Sequence, residues 1–278
     1  MMGIDRRTAL AGLAGAAVAS ATRAAPRGQP VDLKNPQAKL DAFVRMRCQP
    51  NGQKGYMWYE GTFFAKPEGD IAVPLVGISG FSWNRALRQP DGSYLYELQE
   101  AGYHTDLASG DRVDSMKNPL NGLEVAPKHY RSGQKTRFTP DRVLPLQALP
   151  PDMHYDGRIT PARVLDDMVS MSEDLLVRSP NPRERYRNPL EYCGPHRIST
   201  SLATLQSPLA AVLDPDAEFT PCSLSYITVN SWRPWMLMGQ APGTITWRLV
   251  GRKLRSPDQL GEPLLSWLKD EHPDLLEG

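Results

Sequence analysis

The chain has almost no excess charge of either sign: 32 lysines and arginines face 31 aspartates and glutamates. Nucleic acid and anionic membrane surfaces reward a basic patch, so neither is an expected partner. Cysteine is scarce. Cys48, Cys193 and Cys222 lie far apart and form no Cys-x-x-Cys pair. Two arrangements stay open, one disulfide with a leftover thiol or three scattered small buried side chains. There is no GxxxxGK phosphate loop, no GxGxxG after a strand and no HExxH. The stretch "GISGF" departs from the GxSxG nucleophile elbow, and no His-x-His cluster supports zinc. These absences argue against nucleotide use and the best-known metallohydrolase designs; the expectation is neither metal nor cofactor, with a metal assembled from distant residues left open. Beyond the first 25 residues no apolar run approaches eighteen, so no integral membrane helix is expected there.

What is present begins with "MMGIDRRTALAGLAGAAVASATRAAP". Paired Arg6 and Arg7, an uncharged Ala/Leu/Gly stretch and then small residues read as a secretory signal of the twin-arginine type. Cleavage fits after Ala21 ("ASA") or Ala24 ("TRA"). The expected organisation is a signal over residues 1–24, a linker over 25–39 and one β-rich domain over 40–278. The expected location is periplasmic or secreted. No oligomeric state follows from the sequence.

Residues 40–135 read as strands separated by "PDG", "ASGD" and "NPLNG" turns. Tyr94, Tyr96 and Leu98 alternate with Glu97 and Gln99, the period-two pattern of a strand with one buried face. Residues 136–195 carry many prolines and are expected as an irregular flap. Within it "TPARVLDDMVSMSEDLLV" suits either a short helix starting at Thr160-Pro161 or a strand. The last third returns to strands. Ile245, Trp247 and Leu249 share one face of "GTITWRLVGRKL", opposite Thr244, Thr246 and Arg248. The tail reads as an amphipathic helix with Pro263 in its first turn and Leu264, Leu265, Trp267 and Leu268 on its apolar side. The expected fold is mainly β: an antiparallel β-barrel or curved sheet, lipocalin-like, with a proline-rich flap and a C-terminal helix.

Candidate chemistry is thin. His129, in "VAPKHYRSG", ends an expected strand, where a neutral imidazole facing a barrel would serve as general base. Tyr103 and Asp106 in "AGYHTDLASG" suit an acid/base pair, and an Asp-initiated turn gives the same letters. Asn118 in "KNPLNG" and His196 beside the proline-rich span are candidate ligand contacts; a turn asparagine and a structural histidine are their plain alternatives. The densest feature is "SWRPWMLMGQAPG", residues 231–243. Tryptophan brings large area with one N–H to satisfy, and methionine fills irregular gaps. Trp232, Trp235 and Met238 therefore read either as a packed corner or as the wall of a pocket for a small apolar or aromatic molecule.

"SWRPWMLMGQAPG", followed by "WRLVGRKL" and "HPDL", resembles the C-terminal signature of domain-of-unknown-function family 1838, found in exported bacterial proteins and in fungi. "GYHTDLASGDRVDSMKNPLNGLEV" is similar to that family's tyrosine–aspartate turn and Asn-Pro segment, with His129 just after it. The resemblance spans roughly residues 40–275 and implies a domain; it carries no activity or catalytic residue with it. The functional expectation therefore comes from the residues: a cofactor-independent lyase or isomerase acting on a hydrophobic hydroxylated molecule. A non-catalytic exported binding protein and a structural envelope protein are the alternatives.

Overall fold

The computed structural model describes residues 32–49 and 52–277. The expected export signal and residues 25–31 of the expected linker lie outside the described residues. The first element is α1 (Pro36–Arg47). The Asn35 side chain accepts the backbone N–H groups of Gln37 and Ala38 at 2.9 and 3.0 Å, and Pro36 takes the first turn, where its missing donor is harmless. Residues expected as linker (36–39) and as the start of the strand run (40–47) thus form a helix, and Asn-Pro is its start signal. It buries Leu40, Phe43, Val44 and Met46.

The sheet begins with β1 (Gly55–Pro67), β2 (Val73–Arg88) and β3 (Tyr94–Thr105). A two-residue hairpin, β4 (Met116–Lys117) and β5 (Glu124–Val125), decorates the next connection. Then come β6 (Tyr130–Phe138), β7 (Arg142–Pro145), β8 (His154–Ile159), β9 (Arg163–Leu165) and β10 (Met168–Pro180). The chain closes with β11 (His196–Pro208), α2 (Leu209–Leu213), β12 (Ser223–Asn230), β13 (Gly243–Leu254) and α3 (Leu264–Glu271). Ten strands form a closed antiparallel barrel in the order β1-β2-β3-β6-β7-β8-β10-β11-β12-β13, with β13 returning to β1. Strand β9 lies on the start of β10, outside the ring.

The proline-rich span, expected as an irregular flap, differs from that reading. It supplies β7 to β10, and only residues 146–153 and 181–195 run irregular for any length. Its prolines punctuate the strands: Pro145 and Pro180 end β7 and β10, Pro150 and Pro151 sit in a turn, and Pro161 separates β8 from β9. The helix alternative over 160–177 is not realised. Val169, Met171 and Glu173 are buried, alternating with more exposed Ser170, Ser172 and Asp174, as a barrel wall requires.

Helix α1 closes one end of the barrel and forms its floor. Its apolar face packs on Tyr96, Phe138, Val169 and Leu205. Helix α3 instead covers the outer face of β1 to β3, where Leu264 and Leu268 meet Tyr56, Phe81 and Tyr103. The C-terminal helix expected from the sequence is therefore a cladding element. No helix among the described residues is long and apolar enough to cross a membrane. Cys48, Cys193 and Cys222 are free thiols.

Polar groups fasten the floor. Buried Lys253 on β13 donates from Nζ to the carbonyls of Arg45 (2.9 Å) and Cys48, which the end of α1 leaves without partners. Arg47 donates from Nε to the Tyr96 hydroxyl at 2.8 Å and pairs with Glu173 across the barrel. Tyr96 in turn donates to Asn84. Breaking one side of an enclosed ion pair strands the other charge. Arg47→Met should lower unfolding free energy in urea by about 3–5 kcal/mol. Arg47→Met with Glu173→Gln should recover most of it. Equal losses in single and double variants would show that the pair is not what holds the floor.

Candidate functional site

The inside of the barrel is hollow in two neighbouring parts that share wall residues. An inner chamber of about 240 Å3 lies above Arg47 and Glu173, walled by apolar side chains including Leu98, Leu205, Leu224 and Leu249. A mouth of about 530 Å3 lies toward the other end, bordered by Phe63, His104, Trp235 and Arg233. Glu100, Tyr130, Ser132, Tyr226 and Trp247 belong to both.

The centre of the cavity is built by a row of residues running across four strands. Tyr59 on β1 pairs with Gly80 on β2, Gly80 with Gly102 on β3, and Gly102 with Tyr130 on β6. A methyl on Gly80 would stand 2.4 Å from the Tyr59 ring, and one on Gly102 would stand 2.5 Å from the Tyr130 ring. Two glycines thus leave the wall bare so that both phenols lie flat on it. Their hydroxyls meet at 2.6 Å, and Tyr59 also reaches Glu100 Oε2 at 3.2 Å. Ser132 donates to Glu100 Oε1 at 2.8 Å. Enclosure raises the Glu100 pKa against these hydrogen bonds, which work to lower it. Enclosure also lifts Tyr226 to about 12, with Glu100 adding to the shift.

His104 is the unusual group. It is 2 % exposed, and neither Nδ1 nor Nε2 has a hydrogen-bond partner among the described residues. Its ring stands edge-on to Phe63 and to Trp235, with centroids 5.3 and 5.8 Å away. Burial first, then His129 and Arg233, push its pKa down to about 3, so it faces the mouth as a neutral imidazole. Trp247 Nε1 is likewise buried without a partner. Unpaired buried polar groups are rare and ask for an explanation. Here they face one cavity.

The structure brings the sequence candidates together only in part: the Tyr103 and His129 ring centroids lie 5.5 Å apart, while Asp106 stands off in its own turn. His129 does line the mouth, but both of its nitrogens are engaged. Nδ1 accepts the His104 backbone N–H at 3.0 Å, while Nε2 lies 2.8 Å from Arg112 Nε and 3.1 Å from Asp114. Tyr103 points outward beneath α3, donating to the Trp267 carbonyl at 3.1 Å, and burial lifts its pKa to about 12. Asp106 is exposed and caps its own turn, accepting from Ala108 and Ser109 at 2.8 and 2.9 Å. These three do not share a cavity. Asn118 is buried and clamps the 231–243 stretch, donating to the Met236 carbonyl at 2.7 Å. Trp232 packs in the same corner with its Nε1 on the Ala241 carbonyl at 2.7 Å, and Met238 lies beside Asn118. His196 contacts Arg178 at the start of β11. Trp235 alone of that stretch's three candidates borders the mouth.

Sequence reasoning missed Glu100, His104, Tyr59, Tyr130 and Arg233. A signal existed for two of them. Carrying the alternation of Tyr96 and Leu98 onward along β3 puts Glu100, Gly102 and His104 inside and Tyr103 outside. Among the described residues no group of three or more His, Cys, Asp or Glu is arranged to hold a metal.

The family model described as "Protein of unknown function (DUF1838)" matches residues 52–277, and the chain belongs to that family. No curated protein matches it, and no solved structure does.

The His104 environment sets a pH dependence. In the folded chain the ring stays neutral down to about pH 3, whereas in the unfolded chain it takes a proton near its ordinary 6.5. The unfolded state then binds more protons between these values, so this contribution is intact above pH 6.5 and shrinks as pH falls toward 3. A His104→Phe variant should show a shallower decline of unfolding free energy over that window than the native chain. Parallel curves would mean that His104 is not held neutral.

Proposed function

We propose, for a member of a family whose description names no activity, that this barrel takes up a small hydrophobic hydroxylated molecule through its mouth. The observation that carries this reading is the barrel's internal cavity, in which leucines and aromatic rings share the wall with convergent polar side chains. That is the usual composition of a small-molecule site. The apolar body would lie against Leu98, Leu205, Leu224 and Leu249. A hydroxyl or carbonyl would meet the Tyr59–Tyr130 pair, and His104 and Trp247 would supply the outer hydrogen bonds. The test is native mass spectrometry of the protein purified in folded form, alongside tryptophan fluorescence titrated with 1-octanol and 3-phenyl-1-propanol. We expect a retained molecule or a saturable fluorescence change that Ala203→Phe, which fills the inner chamber, removes. If nothing is retained and neither alcohol perturbs the spectrum, the binding reading fails.

A second reading, proton transfer on the bound molecule, is favoured by one arrangement. A carboxyl group with a raised pKa, hydrogen-bonded to one of two linked phenols, suits a lyase or isomerase that needs no cofactor. Glu100 would take and return the proton, and the phenols would hold the oxygen where charge develops. His104, neutral to about pH 3, would orient the molecule. Once the retained molecule is known, Glu100→Gln should keep its binding and reduce turnover by roughly 10²–10⁴-fold. Undiminished turnover would leave a carrier or sensor.

The paired Arg6 and Arg7 support work outside the cytoplasm. Replacing both by lysine should hold the full-length chain in the cytoplasmic fraction of a cell that has twin-arginine export. Unchanged fractionation would remove that support.

A further inference from the structure

The mouth is cationic in a way that nothing in the fold requires. Arg197, Arg233 and Lys128 all border it. None of the ion pairs among the described residues includes any of the three. Other arginines near the barrel interior or its cladding are paired: Arg47 with Glu173, Arg85 with Glu97, Arg112 with Glu271. Arg233 lies instead over the Trp247 ring, its guanidinium carbon 5.1 Å from the centroid. Stacking on an aromatic face leaves the edge of a guanidinium, with its forked donors, free to meet a planar acceptor. Arg197 is close enough to depress the Arg233 pKa further, after the enclosure that is the main cause. Two like charges side by side in a partly enclosed site repel each other, and an anion between them removes both the repulsion and the desolvation. The mouth also contains the unpartnered His104 ring and the polar side chains of Ser199, Thr228 and Asn230.

We propose that Arg197 and Arg233 form a carboxylate-binding site, so that the molecule taken up is an amphipathic carboxylic acid. It would lie with its acid group at the mouth and its body in the inner chamber. The inference rests on the cavity reading above and adds its chemical class. A carboxylate matches a guanidinium fork with two parallel hydrogen bonds. A single negative charge also suits a site that already holds a carboxyl group, Glu100, at its inner end. A phosphate dianion would face that group with twice the charge. The inner chamber disfavours the reverse orientation, because there the acid would meet leucines and Glu173, and the one cation at that end, Arg47, is already paired with Glu173.

The experiment compares acids with alcohols of matched body. Octanoate and 1-octanol, and 3-phenylpropionate and 3-phenyl-1-propanol, are titrated by tryptophan fluorescence against the native chain and against Arg233→Gln, Arg233→Lys and Arg197→Gln. Circular dichroism establishes that each variant folds. In the native chain the acids should bind roughly tenfold or more tightly than the alcohols, an advantage that raised salt erodes. Arg233→Gln should abolish that advantage while leaving alcohol affinity unchanged. Arg233→Lys, which keeps the charge and loses the fork, should retain part of it, and Arg197→Gln should reduce it. Acids binding no better than alcohols overturns the proposal and leaves the cavity reading standing. Failure of all four compounds overturns the proposal, and together with no molecule retained in native mass spectrometry it overturns the cavity reading too. Octyl phosphate binding more tightly than octanoate replaces the carboxylate assignment with a phosphate one.

Discussion

Everything inside this protein depends on β10 meeting β11. The two strands pair antiparallel along thirteen residues, from Met168 with Pro208 to Pro180 with His196. That ladder turns a ten-stranded sheet into a ring. An open sheet would present two edges of unpaired N–H and C=O groups, and closure removes both. It also fixes inside and outside for every strand at once, because side chains alternate across the wall. The hollow, the floor helix and the cladding helix all follow from that assignment.

Within the ring, the cavity is made by leaving atoms out. Gly80 and Gly102 carry no side chain where the wall would otherwise project inward, and Tyr59 and Tyr130 lie down over them. Bare wall and paired phenols together enclose a carboxyl group in an apolar chamber without stranding it. The same economy explains the two histidines at the mouth. His129 is tied on both nitrogens and helps hold the 112–129 connection against β3, through the His104 backbone. The His104 ring is left facing the cavity. Adjacent elements thus divide one residue type between scaffold and site.

Much of the architecture was legible in the sequence. Alternation in Tyr94–Gln99 and Thr244–Leu249 gave strand faces that the barrel keeps, and the C-terminal apolar stripe gave α3. The site was less legible because its members come from different strands and meet only through register. Tyr59 and Tyr130 are distant in the chain and touch because two glycines on intervening strands align. No local motif encodes that meeting. Tyr103 and Asp106 looked like a pair because they are close in sequence, yet β3 points Tyr103 outward and Asp106 belongs to the turn beyond it. The proline-rich span misled for a related reason. Prolines counted by density suggest irregularity, whereas these mark the ends of short strands. The start of α1 was written in Asn35-Pro36 and was read as linker because a single helical turn of signal carries little weight beside a β-rich domain.

The floor of the chamber has a different origin from its walls. The walls belong to the hydrogen-bond ladder, where changing one strand's backbone disturbs its neighbours. The floor is the end of a helix, and Arg47 is the one residue of α1 that lines the inner chamber. Depth and circumference are therefore separate variables. Substitutions at the end of α1, or a shift of that helix along the barrel axis, would alter how long a molecule fits without touching a single interstrand bond. A fold built this way can change its stopper while keeping its cask.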